Sequence, residues 1–223
     1  MKKVSLLVGL TLISGLAFGD TLPKECNVLL TKSLSVSVVS NSPQVDSTHT
    51  VSKLNTLFGK SSGESVSKIG SVTHDSFNFD QSYSVYGLET SGGYCALLSG
   101  KVTLPVTPII TYMPADLSKE SCAYREIMIH ELKHVNYKLQ VHAIIGAKVT
   151  KLVKTTLSTP VMYASAIDAN KALQLIANQL TTDIENIAKL ELSREDGFDN
   201  PSEYKRVYDM CPIGFDLLYR KVQ

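Results

Sequence analysis

The chain has 223 residues, with 22 lysines and arginines against 21 aspartates and glutamates, so its formal net charge of +1 offers no field to attract nucleic acid or an anionic membrane surface. Thirteen glycines and eight prolines are ordinary numbers, and 43% hydrophobic residues exclude a disordered or fibrous class.

The first element is Met1-Lys2-Lys3 followed by the apolar run Val4 to Phe18 and small residues around Gly19. This order predicts a secretory signal peptide over 1–19, with an apolar stretch too short for a membrane anchor. About 200 residues remain, enough for one domain over 20–223, mainly β over 20–117 and mainly α over 118–223. No later segment is long and apolar enough to predict stable membrane insertion.

Leu34 to Val39 and Ser82 to Tyr86 alternate with period two and predict strands, and the Ser/Thr-rich stretch from Thr31 to Ser82 reads as exposed strands and loops. Tyr94 to Leu104 and Val106 to Met113 predict a hairpin across Pro105. Pro105 and Pro108 suit an edge strand, whose backbone around Val106 to Tyr112 would be open to pair with an extended peptide. Two long helices follow, one from about Cys122 to Lys154 and, after Ser158-Thr159-Pro160, another from about Met162 to Arg194. The expected fold class is therefore α+β, an N-terminal antiparallel sheet followed by two long helices.

The chemistry is carried by His130-Glu131-Leu132-Lys133-His134 on the first long helix. Positions i and i+4 stand one above the other on a helix, so both imidazoles reach one ion, and Glu131 is placed to take a proton from water. The stripe Ala123, Ile127, His130, His134, Tyr137, Val141, Ile145 and Leu152 turns the histidines towards a core, with Lys148 interrupting it near the end and Ser118 or Ser121 available as a cap.

A catalytic zinc site needs a third protein ligand. His142 lies eight residues beyond His134, about 80° around the helix and ~12 Å along it, too far to share the ion unless the helix ends early. Tyr137 and Gln140 stand where metzincins carry glycine and histidine, which excludes that class. The second helix carries Leu173, Ile176, Leu180, Ile184 and Ile187 on one stripe that runs into Glu191 and Glu195. Glu195 is the preferred third ligand, with Glu191, Asp199 and His142 as alternatives; Glu195 and Asp199 also have the Glu-x-x-x-Asp spacing of gluzincins.

Four cysteines in an exported chain predict two disulfides. Three pairings are possible, of which Cys95 with Cys122 and Cys26 with Cys211 are preferred.

Cys95, Ser121 to Ile127, His130 to Val135, and Phe198-Asp199-Asn200-Pro201-Ser202-Glu203-Tyr204 with Cys211 resemble a family of small exported proteobacterial proteins similar to secreted zinc peptidases. The likeness covers about the second half of the chain and implies a zincin-type, gluzincin-like fold, with a zinc site at His130, Glu131 and His134. The expected activity is secreted zinc-dependent peptide-bond hydrolysis, with Glu131 as general base, Zn2+ as cofactor and a peptide or protein as substrate. Tyr124, Tyr137 and Tyr204 are candidates to donate to the oxyanion, though packing roles are preferred for them. The alternatives are a non-catalytic envelope protein whose structural or relic metal site accompanies partner binding, and an amidase acting on cell-wall peptide.

Overall fold

The computed structural model describes residues 22–32, 34–39, 42–58, 71–75, 77–104, 107–156, 159–194 and 197–212. The expected signal peptide lies outside them. The architecture is mixed α+β.

The larger sheet contains β1 (Ser35–Val38), β4 (Asp80–Thr90), β5 (Gly93–Leu104) and β7 (Val161–Tyr163). Strand β5 is central: β4 lies antiparallel along one edge, while the other edge takes parallel β1 against Lys101–Leu104 and antiparallel β7 against Tyr94–Ala96. Alternation along β5 splits its side chains. Ala96, Leu98, Val102 and Leu104 face the helices, and Cys95 and Leu97 face a 3₁₀ helix, Lys24–Lys32. That 3₁₀ helix presents Cys26 and Leu29 together because its period is three.

The smaller sheet has the order β2 (Gln44–Asp46), β6 (Ile110–Tyr112), β3 (Val72–His74), with β2 parallel and β3 antiparallel to β6. Both sheets are thus mixed, not purely antiparallel as expected. The hairpin expected across Pro105 is also corrected. Strand β5 pairs with β4 across Ser91 and Gly92, where Gly93 has φ 132°, whereas β6 leaves for the smaller sheet. There it is the middle strand, so its backbone is occupied on both sides and the open edge expected around Val106 to Tyr112 does not exist at 110–112.

Short helix α1 (Val51–Phe58) packs Val51 inward, and α2 (Cys122–Thr156) follows the smaller sheet. Ser121 caps α2, its Oγ accepting from the Tyr124 N–H at 3.1 Å. At 35 residues α2 is ~50 Å long, so it serves two cores. Ala123 and Ile127 pack with Val51, Met113, Leu117 and Val207, while Val141, Ile145, Val149 and Val153 pack on the larger sheet and on α3 (Ala166–Leu192). The buried stripe is accordingly wider than predicted, taking in Glu131, Val135 and His142.

Helix α3 begins at Ala166 rather than near Met162, because Val161–Tyr163 pairs with β5 and Ser165 then caps the helix by accepting from the Asp168 N–H. Its stripe of Leu173, Leu180 and Ile184 is buried as predicted. A further helix, α4 (Pro201–Met210), starts at the Asn200 cap with proline in its first turn. Among the described residues, no helix is long and apolar enough to cross a membrane.

The disulfides join Cys26 to Cys95 and Cys122 to Cys211, with Cα atoms 6.0 and 5.8 Å apart. This corrects the preferred pairing of Cys95 with Cys122 and Cys26 with Cys211. Cys95 faces away from the helices, towards the 3₁₀ helix that carries Cys26, and Cys122 opens α2 beside the end of α4. The first bond fastens the N-terminal segment to β5; the second fastens α4 to α2.

Candidate metal centre

Helix periodicity places His130 and His134 on one face of α2, and both are buried. Their Nε2 atoms are 3.1 Å apart. Asp199, from the turn between α3 and α4, brings Oδ1 to 3.2 Å from Nε2 of His130 and 3.3 Å from Nε2 of His134. Local sequence explains the turn: Gly197 has φ 70°, and Asn200 caps α4 while its Nδ2 donates to the Gly197 carbonyl at 2.9 Å. The Phe198 ring sits edge-on to His134, and the Tyr204 ring leans over His130.

Two nitrogens and one oxygen therefore form a triangle with edges of 3.1–3.3 Å. Ligand atoms ~2.0–2.1 Å from a tetrahedral zinc stand ~3.3–3.4 Å apart, so the triangle has the size of one face of that tetrahedron. His130 Nδ1 lies 3.4 Å from Oε1 of Glu203, on α4. Donation from Nδ1–H to this carboxylate leaves the Nε2 lone pair facing the triangle. Three electron-rich atoms so close repel one another unless a cation or proton lies between them.

Charge is graded around the triangle. Hydrogen bonding to His130, then to His134, holds the Asp199 carboxyl well below the usual carboxylate range, with Tyr204 acting in the same direction and burial opposing. Arg206 and Lys133 lower Glu203 to about 2. Lys133 Nζ donates to Glu203 at 2.5 Å, and Arg206 donates to it at 2.9 and 3.0 Å while reaching Glu126 on α2 at 3.1 Å. The same carboxylates push the Arg206 guanidinium up.

Glu131 is buried and stands outside the triangle, accepting from Ser71 Oγ at 2.5 Å and Thr73 Oγ1 at 2.6 Å. The expected third ligand, Glu195, lies outside the described residues; among the described residues the carboxylate that meets both histidines is Asp199, one of the alternatives. The other two alternatives are engaged elsewhere. His142 pairs with Asp75 at 2.7 Å, and Glu191 pairs with Lys148 at 2.6 Å and Arg194 at 3.2 Å. Of the three tyrosines, Tyr124 packs against the core of Ala123 and Ile127, Tyr137 donates to the Arg194 carbonyl, and Tyr204 contacts Asp199 and His130.

Glu203, Ser71 and Thr73 are not among the site residues expected from the sequence. Asn200-Pro201-Ser202-Glu203 carries a cap signal with an acid three residues on, which would have started a helix at that point and set Asp199 just before it. No local signal announces Ser71 and Thr73. A cavity of about 380 Å³ opens beside Asp199 between Tyr137, Val141 and Arg194, leaving room for a bound molecule.

Comparison of the chain with protein-family models, curated proteins and solved structures finds no match.

Proposed function

We propose that the chain is an exported zinc-dependent metallopeptidase of zincin-like type, in which His130, His134 and Asp199 hold the ion and Glu131 is the general base. The triangle of His130 Nε2, His134 Nε2 and Asp199 Oδ1 carries this reading, because its edges and its donor set of two imidazoles and one carboxylate suit zinc. The Asp199 side chain is 59% exposed, so the ligand set reaches solvent at Asp199. Two disulfides, and a leader expected over 1–19, agree with an oxidising compartment outside the cytoplasm.

When bound, zinc would polarise the scissile carbonyl and make a water acidic enough to ionise near neutral pH. Glu203 holds the Nδ1 proton of His130 and so keeps Nε2 available as a ligand. Glu131 accepts the proton of the attacking water and returns it to the departing amine. Burial of His130 and His134 beneath Phe198 and Tyr204 keeps competing water from the ligand nitrogens.

The engagement of both Glu131 oxygens by Ser71 and Thr73 favours a second reading, a non-catalytic protein with a structural metal. Metal analysis of the mature protein beside a His130→Ala/His134→Ala variant, together with hydrolysis of a fluorogenic peptide library by the parent and by Glu131→Gln, separates the two. One zinc per chain with hydrolysis abolished in Glu131→Gln supports the peptidase. Zinc without any hydrolysis supports the structural reading, and no zinc after incubation with the ion overturns both.

A further inference from the structure

We propose that Ser71 and Thr73 are positioning residues for Glu131, held in register by a buried Asp75–His142 pin; this rests on the metal-site reading above. Ser71, Thr73 and Asp75 alternate along the chain at β3, so their side chains point to one face. That face meets α2. Ser71 and Thr73 each donate to a different oxygen of Glu131, and Asp75 pairs with Nε2 of His142. Glu131 and His142 are eleven residues apart, three helical turns with an offset of only ~20°, so a single helix face supplies both partners.

The contacts form a connected set. Thr73 gives its proton to Glu131, so the Thr111 hydroxyl, 3.1 Å away, donates to Thr73. Thr111 is 2% exposed and is the cross-strand partner of Thr73 in the β3–β6 pair. Three torsions separate a glutamate carboxylate from its backbone, and two hydroxyls on opposite oxygens remove that freedom. The Asp75–His142 pair fixes which residues of β3 do this, because a slip of one residue would present Val72 and His74 to the helix instead. Asp75 has 1% and His142 8% side-chain exposure, so the pin is dry. The carboxylate beside ligand His130 is therefore aimed by a strand from the other half of the chain.

The test uses the full mature chain loaded with Co2+, whose visible spectrum reports groups that touch water at the ion. Glu131→Gln is expected to shift the visible band. Thr73→Val and Ser71→Ala should shift it in the same direction, and Thr73→Ser, which keeps the hydroxyl, should restore the parent spectrum, all at one cobalt per chain. On the fluorogenic library, Thr73→Val should lower kcat about tenfold with KM within about twofold of the parent. A spectrum that moves in Glu131→Gln but not in Thr73→Val or Ser71→Ala overturns the assignment and leaves the metal site standing. A spectrum unmoved by Glu131→Gln also overturns it, since the carboxylate then does not face the ion. Failure of the parent chain to take up cobalt overturns the metal-site reading, and the assignment falls with it.

Discussion

Glu203 stands behind His130, its Oε1 3.4 Å from Nδ1, while Asp199, four residues earlier in the chain, meets Nε2 on the other side of the same ring. One short segment thus grips both nitrogens of a single imidazole. The N-terminus of α4 lies between the two carboxylates and favours negative charge at both.

Loss of Glu203 should weaken the metal site without emptying it. Glu203→Gln is expected to lower zinc affinity by roughly 10–100-fold, with stoichiometry at saturating zinc unchanged. Asp199→Ala removes a proposed ligand and should cost more than this. Competition with a chromophoric chelator measures both, and an Asp199→Ala affinity equal to that of the parent would remove Asp199 from the ligand set.

Glu203 should also make the metal-free fold sensitive to acid. Its ordinary value of 4.5 is lowered to about 2 by Arg206 and Lys133. A lowered carboxylate stabilises the folded chain above pH ~4.5, and that contribution fades as pH falls towards 2. Melting temperature followed from pH 6 to pH 2 should therefore drop further for the parent than for Glu203→Gln, and parallel curves would count against the ion pairs with Arg206 and Lys133.

The two disulfides should behave differently towards metal. Cys122–Cys211 fixes the end of α4 to the start of α2, and α4 follows directly on Asp199 and carries Glu203. Cys122→Ser/Cys211→Ser is expected to lower zinc affinity at least about tenfold and stability by about 2–5 kcal/mol. Cys26→Ser/Cys95→Ser lies on the far face of β5 and should lower stability in the same range with zinc affinity intact. Chelator competition and thermal melts on both variants check this.

His142 and Glu191 are each engaged in ion pairs away from the triangle. His142→Ala strands Asp75 in the interior, and Glu191→Ala leaves Lys148 and Arg194 without their shared acid. The first is expected to cost about 3 kcal/mol or more, and the second less because both cations are half exposed. Both variants should still bind one zinc, which metal analysis on the folded fraction would establish.

The helix that bears His130 and His134, its cap region and its core-facing stripe were all readable from residue types, as was the stripe of α3. Local geometry decides such features: a period of 3.6 brings i and i+4 together wherever the helix packs. The strands are less legible. Alternation marked Leu34–Val39 and Ser82–Tyr86, but β5 is central and buried on both faces, and nothing in its own residues says that β4 rather than β6 lies beside it.

By itself, then, the sequence determined that two histidines and a glutamate share one helix and that its cysteines suffice for two bonds. Only the tertiary structure decided that Asp199, 69 residues from His130, joins the two rings, that Glu203 backs one of them, and that Ser71 and Thr73 hold Glu131. It likewise decided which cysteines meet. Contacts of that span depend on which surfaces the sheets and helices bury against one another. No short-range period encodes that choice, because it is set by packing and loop closure over the whole chain.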